Sequence, residues 1–276
     1  MMFGTRKEFK YWECLSCGCL WISCVPENLS EYYPKDYYSF SAHASAIQIL
    51  YYHAQFKAQW LMRWLRRRLP SRASIIAAAR PEPGARILDV GSGSGQLIEI
   101  LRAVGFEALG IDPYLDSDLP FVKRYSLEEV NGVWDLIMFH HSLEHMQNHV
   151  EVLRNARSKL APAGTCLVRI PIANWAWKHY GRDWVQLDAP RHLVVHTPTS
   201  FRLTAEAAGF QITHTIFDSQ DFQFRGSELY RNDIALFNER ARGYFSRREV
   251  RRFREHADIL NRQQLGDQAA FFLKAM

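Results

Sequence analysis

Apolar residues occur along this chain in two patterns, short continuous runs and a spacing of three to four residues. The first is typical of buried strands and the second of helices, so together they predict a sheet flanked by helices. Residues 87–90 and 106–111 are short apolar runs typical of buried strands, and the apolar spacing between them is helical. Further on, Asn148 and Glu151 have the spacing of a capping box at a helix start. Strand-like and helix-like segments alternate as far as Gly209, which favours an α/β fold with a parallel sheet. The apolar face of the first helix comprises Leu97, Ile98, Ile100, Leu101 and Val104.

The same patterns divide the chain into three parts. Residues 1–40 form a segment rich in cysteine and tyrosine that we expect to be a hairpin, and residues 41–80 are expected to be a helical lid. Proline and glycine at residues 81–84 break the helical pattern, and the main domain extends over residues 81–276. Within it we expect strands at 165–170, 210–216 and 269–274, an irregular stretch after 216, and a polar helix near 246–264.

A glycine-rich turn joins the first of these strands to its helix. Gly91, Gly93 and Gly95 allow the backbone to approach a ligand closely, and the helix start offers free N–H groups to an anion. Asp112 follows the next strand, and a carboxylate at that place can accept both hydroxyls of a ribose. The turn therefore predicts a site for an adenosine derivative.

Other nucleotide sites fit this turn less well. A phosphate-binding P-loop requires Lys and Ser or Thr where Gln96 and Leu97 stand, so that class is excluded. A dinucleotide site prefers its third glycine at position 96, but here it is Gly95. A nicotinamide-dependent dehydrogenase is thus the rival enzyme class.

The early third glycine and the preceding Asp89 resemble the first motif of S-adenosylmethionine-dependent methyltransferases of the Rossmann-like class. An apolar strand at 134–139, followed by the loop 140–145, resembles the fourth strand and following loop of the same family. Residues 188–193, 199–201 and 208–210 resemble a stretch found in members that modify small molecules. The resemblance extends from about Tyr11 to the end of the chain.

This resemblance implies a seven-stranded, mostly parallel sheet with helices on both faces, an antiparallel last strand and a small amino-terminal appendage. It implies S-adenosylmethionine as the methyl donor, with Asp112 on the ribose hydroxyls and Asp89 near the amino-acid end. Ser126 and Leu127 are expected beside the adenine. The donor-binding residues expected from the resemblance are Asp89, Gly91, Ser92, Gly93, Gly95, Asp112, Pro113, Ser126, Leu127 and His140.

Three histidines are candidates for the base that removes a proton from a hydroxyl acceptor. His141 and His145 follow the fourth strand, at the edge where ligands bind in open α/β sheets, and His192 is expected to enter the same crevice. Glu144 lies between the first two on one face of a helical turn, so a divalent metal ion is the alternative. Nitrogen acceptors would need positioning alone.

The acceptor wall is predicted from aromatic and basic residues. Tyr37 belongs to an aromatic segment near the donor entrance, and the stretch after the fifth strand contains Trp175, Trp177, Lys178 and Arg182. These side chains favour a glycan precursor or related polar metabolite. The alternatives are a quinone or phenol acceptor, for which the basic, tryptophan-containing residues 60–68 could rest on anionic lipid, and a protein that binds the donor without turnover.

Cys14 and Cys17 form one half of the zinc ribbon that similar methyltransferases carry, without a matching second pair. Bound zinc is therefore doubtful, and reduced thiols in a residual hairpin are the alternative.

The 276-residue chain has a net charge of +5, mostly from arginine, no nucleic-acid-binding motif and no apolar run of about 18 residues. Because no secretory signal is evident, we expect a cytoplasmic enzyme with a small-molecule acceptor and peripheral membrane contact as an option. The sequence does not indicate the oligomeric state of the protein.

Overall fold

Two sheets organise the chain. The computed structural model describes residues 4, 7–33, 44–57, 72–115 and 118–276. The strands are β1 (Tyr11–Glu13), β2 (Leu20–Ile22), β3 (Arg86–Val90), β4 (Glu107–Ile111), β5 (Val122–Lys123), β6 (Trp134–His140), β7 (Leu160–Pro171), β8 (Val194–Val195), β9 (Phe210–Phe217) and β10 (Gln268–Ala275). The larger sheet has the order β5-β4-β3-β6-β7-β10-β9, and β10 runs antiparallel to both of its neighbours. This is the mostly parallel, seven-stranded arrangement expected for a Rossmann-like methyltransferase fold, with the last strand antiparallel.

Helices cover both faces of the larger sheet. They are α1 (Ala46–Lys57), α2 (Arg72–Ala78), α3 (Gln96–Val104), α4 (His149–Ser158), α5 (Trp175–Tyr180), α6 (Pro198–Ala207), α7 (Phe222–Arg231) and α8 (Arg247–Arg262). Alternate residues of β3 point to opposite faces, so that Leu88 packs in the cluster containing α4 and α6, and Ile87 packs in the cluster containing α1, α2 and α3. Burial on both faces explains why the central strands are continuous apolar runs.

The smaller sheet is an appendage. Strands β1 and β2 form the expected hairpin, and β8 adds a third antiparallel strand to it. Leu20 of β2 and Val195 of β8 belong to one apolar cluster with α5, α7 and α8. The hairpin therefore packs on the main fold through a strand that the main fold supplies.

Several predicted elements differ from the structure. The capping box at Asn148 was wrong, because Asn148 has a left-handed backbone and its side chain makes no capping hydrogen bond. Strand β7 begins five residues earlier than predicted, since residues 160–164 already belong to it. The stretch after β9 was predicted as irregular but contains α7. Gly226 lies inside α7, and a side chain there would meet Val185, so the glycine serves close packing rather than a turn.

Part of the expected lid falls outside the described residues. Helices α1 and α2 account for its two ends, and residues 58–71, which include the basic segment, are not described. The division of the chain into three parts stays a prediction. Within the described part of the chain, every helix is too short or too polar to span a membrane.

The turn after β3 requires glycine for two separable reasons. Gly91 has a φ of 77°, and a Cβ there would overlap Ser142. Gly84 has the same φ of 77° but nothing within 4 Å of an added Cβ. We expect Gly84→Ala to lower the free energy of unfolding by about 1 kcal/mol through backbone strain, and Gly91→Ala by about 2–4 kcal/mol through strain plus overlap. Urea denaturation measures both, and equal losses would contradict the steric contribution.

Candidate active site

A cleft of about 2010 Å³ lies at the carboxyl edge of the parallel strands. The loops after β3, β4, β5 and β6 form its floor, which is where ligands bind in open α/β sheets. Every residue predicted to bind the donor lines this cleft except Asp89, which is buried beneath it, and Gly95, at the start of α3. The lining includes Gly91, Ser92, Gly93, Asp112, Pro113, Ser126, Leu127, His140, His141, Glu144, His145 and His192.

Asp112 is held rigidly at the end of β4. The backbone N–H of Gly93 donates to Asp112 Oδ2 at 3.0 Å, and that of Tyr114 donates to Oδ1 at 3.0 Å. Burial raises the pKa of Asp112, and these two donors oppose that effect. A carboxylate can accept about four hydrogen bonds, so capacity remains for two ligand hydroxyls.

A charged pair lies at the other end of the glycine turn. Asp89 is 1% exposed, and burial raises its pKa to about 7, although the nearby Arg72 guanidinium opposes this. Neither Asp89 Oδ1 nor Arg72 Nε has a hydrogen-bond partner among the residues that the structure describes. A ligand end with both an ammonium and a carboxylate group would satisfy them.

Sequence reasoning did not find Arg72. The side chain lines the cleft from the first turn of α2, whose following residues, from Ala73 to Ala77, are buried. A single arginine that leads an otherwise apolar and buried helix is the signal that could have indicated it, because burying a charge requires a partner.

Arg169 organises the two histidines at the end of β6. Its guanidinium donates to Asp218 Oδ2 from Nε at 2.8 Å and from Nη2 at 2.6 Å. Nη1 contacts Nε2 of His140 at 3.1 Å and Nε2 of His141 at 2.5 Å. Because arginine only donates, both of these imidazole nitrogens must be unprotonated acceptors.

His141 is consequently neutral and fully engaged. Its Nδ1–H donates to Glu144 Oε1 at 3.2 Å while Nε2 accepts from Arg169. Burial and the Arg169 charge lower the pKa of His141 to about 3. Of the three candidate bases, His141 is the one with both ring nitrogens hydrogen-bonded among the described residues, while Nε2 of His192 lies 3.7 Å from Asp188 Oδ2. His141 is therefore better suited to orient Glu144 than to take a proton.

His145 and His192 are held in the same tautomer as His141, through hydrogen bonds from Nδ1–H. Nδ1–H of His145 donates to the Arg191 carbonyl oxygen at 2.9 Å, and Nδ1–H of His192 donates to the Gln186 carbonyl oxygen at 2.7 Å. Each ring therefore carries its lone pair on Nε2. Burial is the largest cause that lowers the pKa of each to about 4. Both are neutral bases at physiological pH.

Glu144 completes a group with these two histidines. One ligand atom from each of Glu144, His145 and His192 lies within 4.8 Å of the other two. Glu144 is 2% exposed, burial raises its pKa, and its Oε2 has no hydrogen-bond partner in the described part of the chain. Two imidazoles held through Nδ1–H with a carboxylate beside them could either move a proton or hold a divalent ion.

Four of the five predicted acceptor residues lie outside the cleft. Trp175 stacks on His179 with ring centroids 4.5 Å apart and packs with α7 and α8, and Trp177 contacts Trp184. Neither of these tryptophans lines the cleft, nor do Lys178 and Arg182. Tyr37 lies outside the described residues. Their contact with the acceptor stays a prediction.

The cysteines form a tight turn in the hairpin. The backbone N–H of Cys14 donates to the Cys19 carbonyl oxygen at 2.9 Å, and that of Gly18 donates to Cys14 at 2.8 Å. Hydrogen bonds from Cys17 and Ser16 lower the pKa of the Cys14 thiol. Neither Cys14 nor Cys17 joins a set of three potential ligands within the described residues. Zinc on this turn stays a prediction, with reduced thiols as the alternative.

The chain was compared with known proteins. The profile of a methyltransferase-domain family matches residues 61–215, more than half of the chain. A ubiquinone biosynthesis O-methyltransferase of Xanthomonas campestris pv. campestris (strain B100) is 33% identical over 114 residues, which cover 35% of this chain and 47% of that protein. The chain thus spans about half the length of the curated relatives that it matches.

Two solved structures are among those similar to this chain. A chain of the Haloferax volcanii complex between the Trm112 methyltransferase activator and a methyltransferase has a TM-score of 0.52 at 13% identity, covering 82% of this chain and 97% of that one. An O-methyltransferase from a trans-AT PKS multienzyme of Brevibacillus brevis, solved with S-adenosyl-L-homocysteine, has a TM-score of 0.48 at 14% identity, covering 86% and 82%.

The geometry at Asp112 predicts a loss of donor affinity when its charge is removed. We expect Asp112→Asn to weaken binding of S-adenosylhomocysteine about ten- to a hundredfold, because hydrogen bonds to a charged group are lost. Isothermal titration calorimetry measures this. Asp118→Asn is the matched control, since Asp118 is half-exposed and pairs with Lys123. Equal affinity of both variants would remove Asp112 from the donor site.

Proposed function

The chain belongs to the methyltransferase-domain family and is an S-adenosylmethionine-dependent methyltransferase, and on this premise we propose that it methylates a hydroxyl oxygen of a small polar acceptor, such as a glycan precursor. One observation carries the proposal. His145 and His192 are neutral, and each has its lone pair on Nε2, beside the same cleft that the glycine turn and Asp112 line. Nitrogen acceptors would have no use for two such bases.

The chain's own residues would hold the donor at both ends. Asp112 would accept the two ribose hydroxyls, and Ser126 and Leu127 would flank the adenine. Arg72 would bind the carboxylate of the methionine portion, and Asp89 would lie near its ammonium group. The unpartnered atoms Asp89 Oδ1 and Arg72 Nε support this orientation, because each would otherwise stay buried without a hydrogen bond.

The chemistry then requires alignment and removal of one proton. The donor supplies an activated methyl group on a sulfonium sulfur. Nε2 of His145 or His192 accepts the hydroxyl proton as the acceptor oxygen forms its new bond to the methyl carbon, and the carbon–sulfur electron pair stays on sulfur. Glu144, which is buried beside both rings, stabilises the imidazolium that results.

A quinone or phenol acceptor is the second candidate. It is favoured by the similarity to a protein named as a ubiquinone biosynthesis O-methyltransferase. Such a substrate also contains a hydroxyl, so it would use the same bases. The two candidates differ in the ring that the cleft must hold, and an N-methyltransferase or a protein that only binds the donor would differ in having no need for His145 and His192.

The paired bases predict the effect of removing either one. We expect His145→Ala and His192→Ala each to lower kcat about 10²–10⁴-fold with little change in S-adenosylhomocysteine affinity, because a general base contributes by that amount. Release of S-adenosylhomocysteine on an acceptor panel measures the rate, and His214→Ala, on the exposed side of β9, is the control.

A metal ion held by Glu144 is the alternative to a base. In that case a chelator would abolish turnover by the unaltered enzyme and an added divalent ion would restore it. Full activity in chelator together with slow histidine variants supports the base. If the histidine variants turn over at the full rate and the chelator has no effect, both the histidine base and the metal ion are contradicted. That result would indicate an amine acceptor.

The lowered histidine pKa values predict an unusual pH profile. An imidazole with a pKa of about 4 is unprotonated at higher pH, so turnover should be insensitive to this group near neutrality and should fall as pH drops through about 4. An ordinary imidazole would cause the fall near pH 6.5. The profile of kcat/KM measures the difference, and a fall centred near 6.5 would mean that these rings are not the bases.

A further inference from the structure

A second, smaller recess opens beside the cleft at the same edge of the sheet. It has a volume of about 220 Å³ and shares Gln186, Phe222 and Gln268 with the cleft. Its remaining lining is Arg169, Gln220, Gln223 and Asp267. The backbone carbonyl of Gln186 also holds His192, so the recess adjoins the proposed base directly.

Gln223 is the feature of this recess that most requires an explanation. The residue is 1% exposed, and neither its amide nitrogen nor its amide oxygen has a hydrogen-bond partner among the residues that the structure describes. Leaving such a group unpaired in the interior costs about 1–3 kcal/mol. A chain would retain a glutamine there if a ligand supplies the missing donor and acceptor.

The charges around the recess restrict what that ligand can be. Arg169 is neutralised by Asp218 and engaged by two histidines, so it offers no free positive charge to an anion. Asp267 is buried and accepts a hydrogen bond from Trp184 Nε1 at 3.0 Å. The lining is otherwise made of carboxamides and one aromatic ring. Carboxamides suit hydroxyl groups, which both donate and accept.

We propose that this recess binds a neutral, polyhydroxylated ring of the acceptor, such as a sugar ring, and that Gln223 is the residue that pairs with its hydroxyls. Phe222, which borders both spaces, would contact the C–H face of the ring. Gln186 would place an adjacent hydroxyl next to His192. The inference rests on the proposed function and deepens it, since it names the group by which the acceptor is recognised.

The experiment replaces the amide by an apolar group of similar length. Gln223→Met is compared with unaltered enzyme and with Gln211→Met, whose glutamine lies exposed on β9. The probes are methyl glycosides of glucose, galactose and mannose, with catechol as the aromatic comparison. Binding to the S-adenosylhomocysteine complex is followed by saturation-transfer NMR, and Tm is recorded for each variant.

We expect at least one methyl glycoside to bind the unaltered enzyme and the Gln211 variant, and to bind Gln223→Met about tenfold more weakly or not at all. The Tm of Gln223→Met should stay the same or rise, because an unpaired buried amide is removed. A fall in Tm would mean that the amide is already paired in the folded protein, and would overturn the inference.

Three further results would also overturn it. If S-adenosylhomocysteine binds but only catechol gives saturation transfer, the recess does not recognise sugars, while the proposed methyl transfer stands. If S-adenosylhomocysteine itself fails to bind, the proposed function fails and this inference fails with it. Equal glycoside binding by Gln223→Met and the unaltered enzyme would remove Gln223 from the acceptor site.

Discussion

The buried guanidinium of Arg169 is the constraint on which the rest of the site depends. A charge at that depth is tolerated only with full compensation, and loss of one partner from a buried ion pair typically costs about 3–5 kcal/mol. Asp218 supplies the opposite charge, and His140 and His141 accept the remaining hydrogen bonds. These contacts of Arg169 join the ends of β6, β7 and β9. The same hydrogen bonds therefore hold the sheet together and position the histidines of the site.

The hydrogen bond from Arg169 also determines the tautomer of His141. Because its Nε2 must accept from Arg169, its proton lies on Nδ1 and is directed at Glu144 Oε1. The other carboxylate oxygen of Glu144, Oε2, has no hydrogen-bond partner in the described part of the chain, and Glu144 lies beside His145 and His192. A tautomer set by a structural arginine thus orients the carboxylate that the two proposed bases share. The ion pair between Arg169 and Asp218 therefore connects to the cleft through hydrogen bonds.

The amino-terminal hairpin contributes to the same site from the opposite side. Tyr11 donates its hydroxyl hydrogen to the His192 carbonyl oxygen at 2.6 Å, and Ile22 N–H donates to the Leu193 carbonyl oxygen at 2.9 Å. Leu193 N–H in turn donates to the Glu144 carbonyl oxygen at 2.8 Å. Through these hydrogen bonds the hairpin holds the segment that contains His192 next to the loop that contains His145. Its contribution to the site is to hold this segment, whatever its cysteines bind.

The sequence by itself determined the features that depend on near neighbours. Alternating apolar runs indicated the parallel strands, and three glycines followed by Asp112 predicted the turn that lines the cleft, because strand, turn and helix geometry are local. The tertiary structure decided what depends on residues far apart. Asp218 reaches Arg169 across 49 positions, and the centroid of the His192 ring lies 4.8 Å from that of the His145 ring although the two residues are far apart in the sequence. Gln223 and the helix around Gly226 gave no local signal, since their roles come from burial against distant elements, and burial is settled only when the whole sheet is assembled.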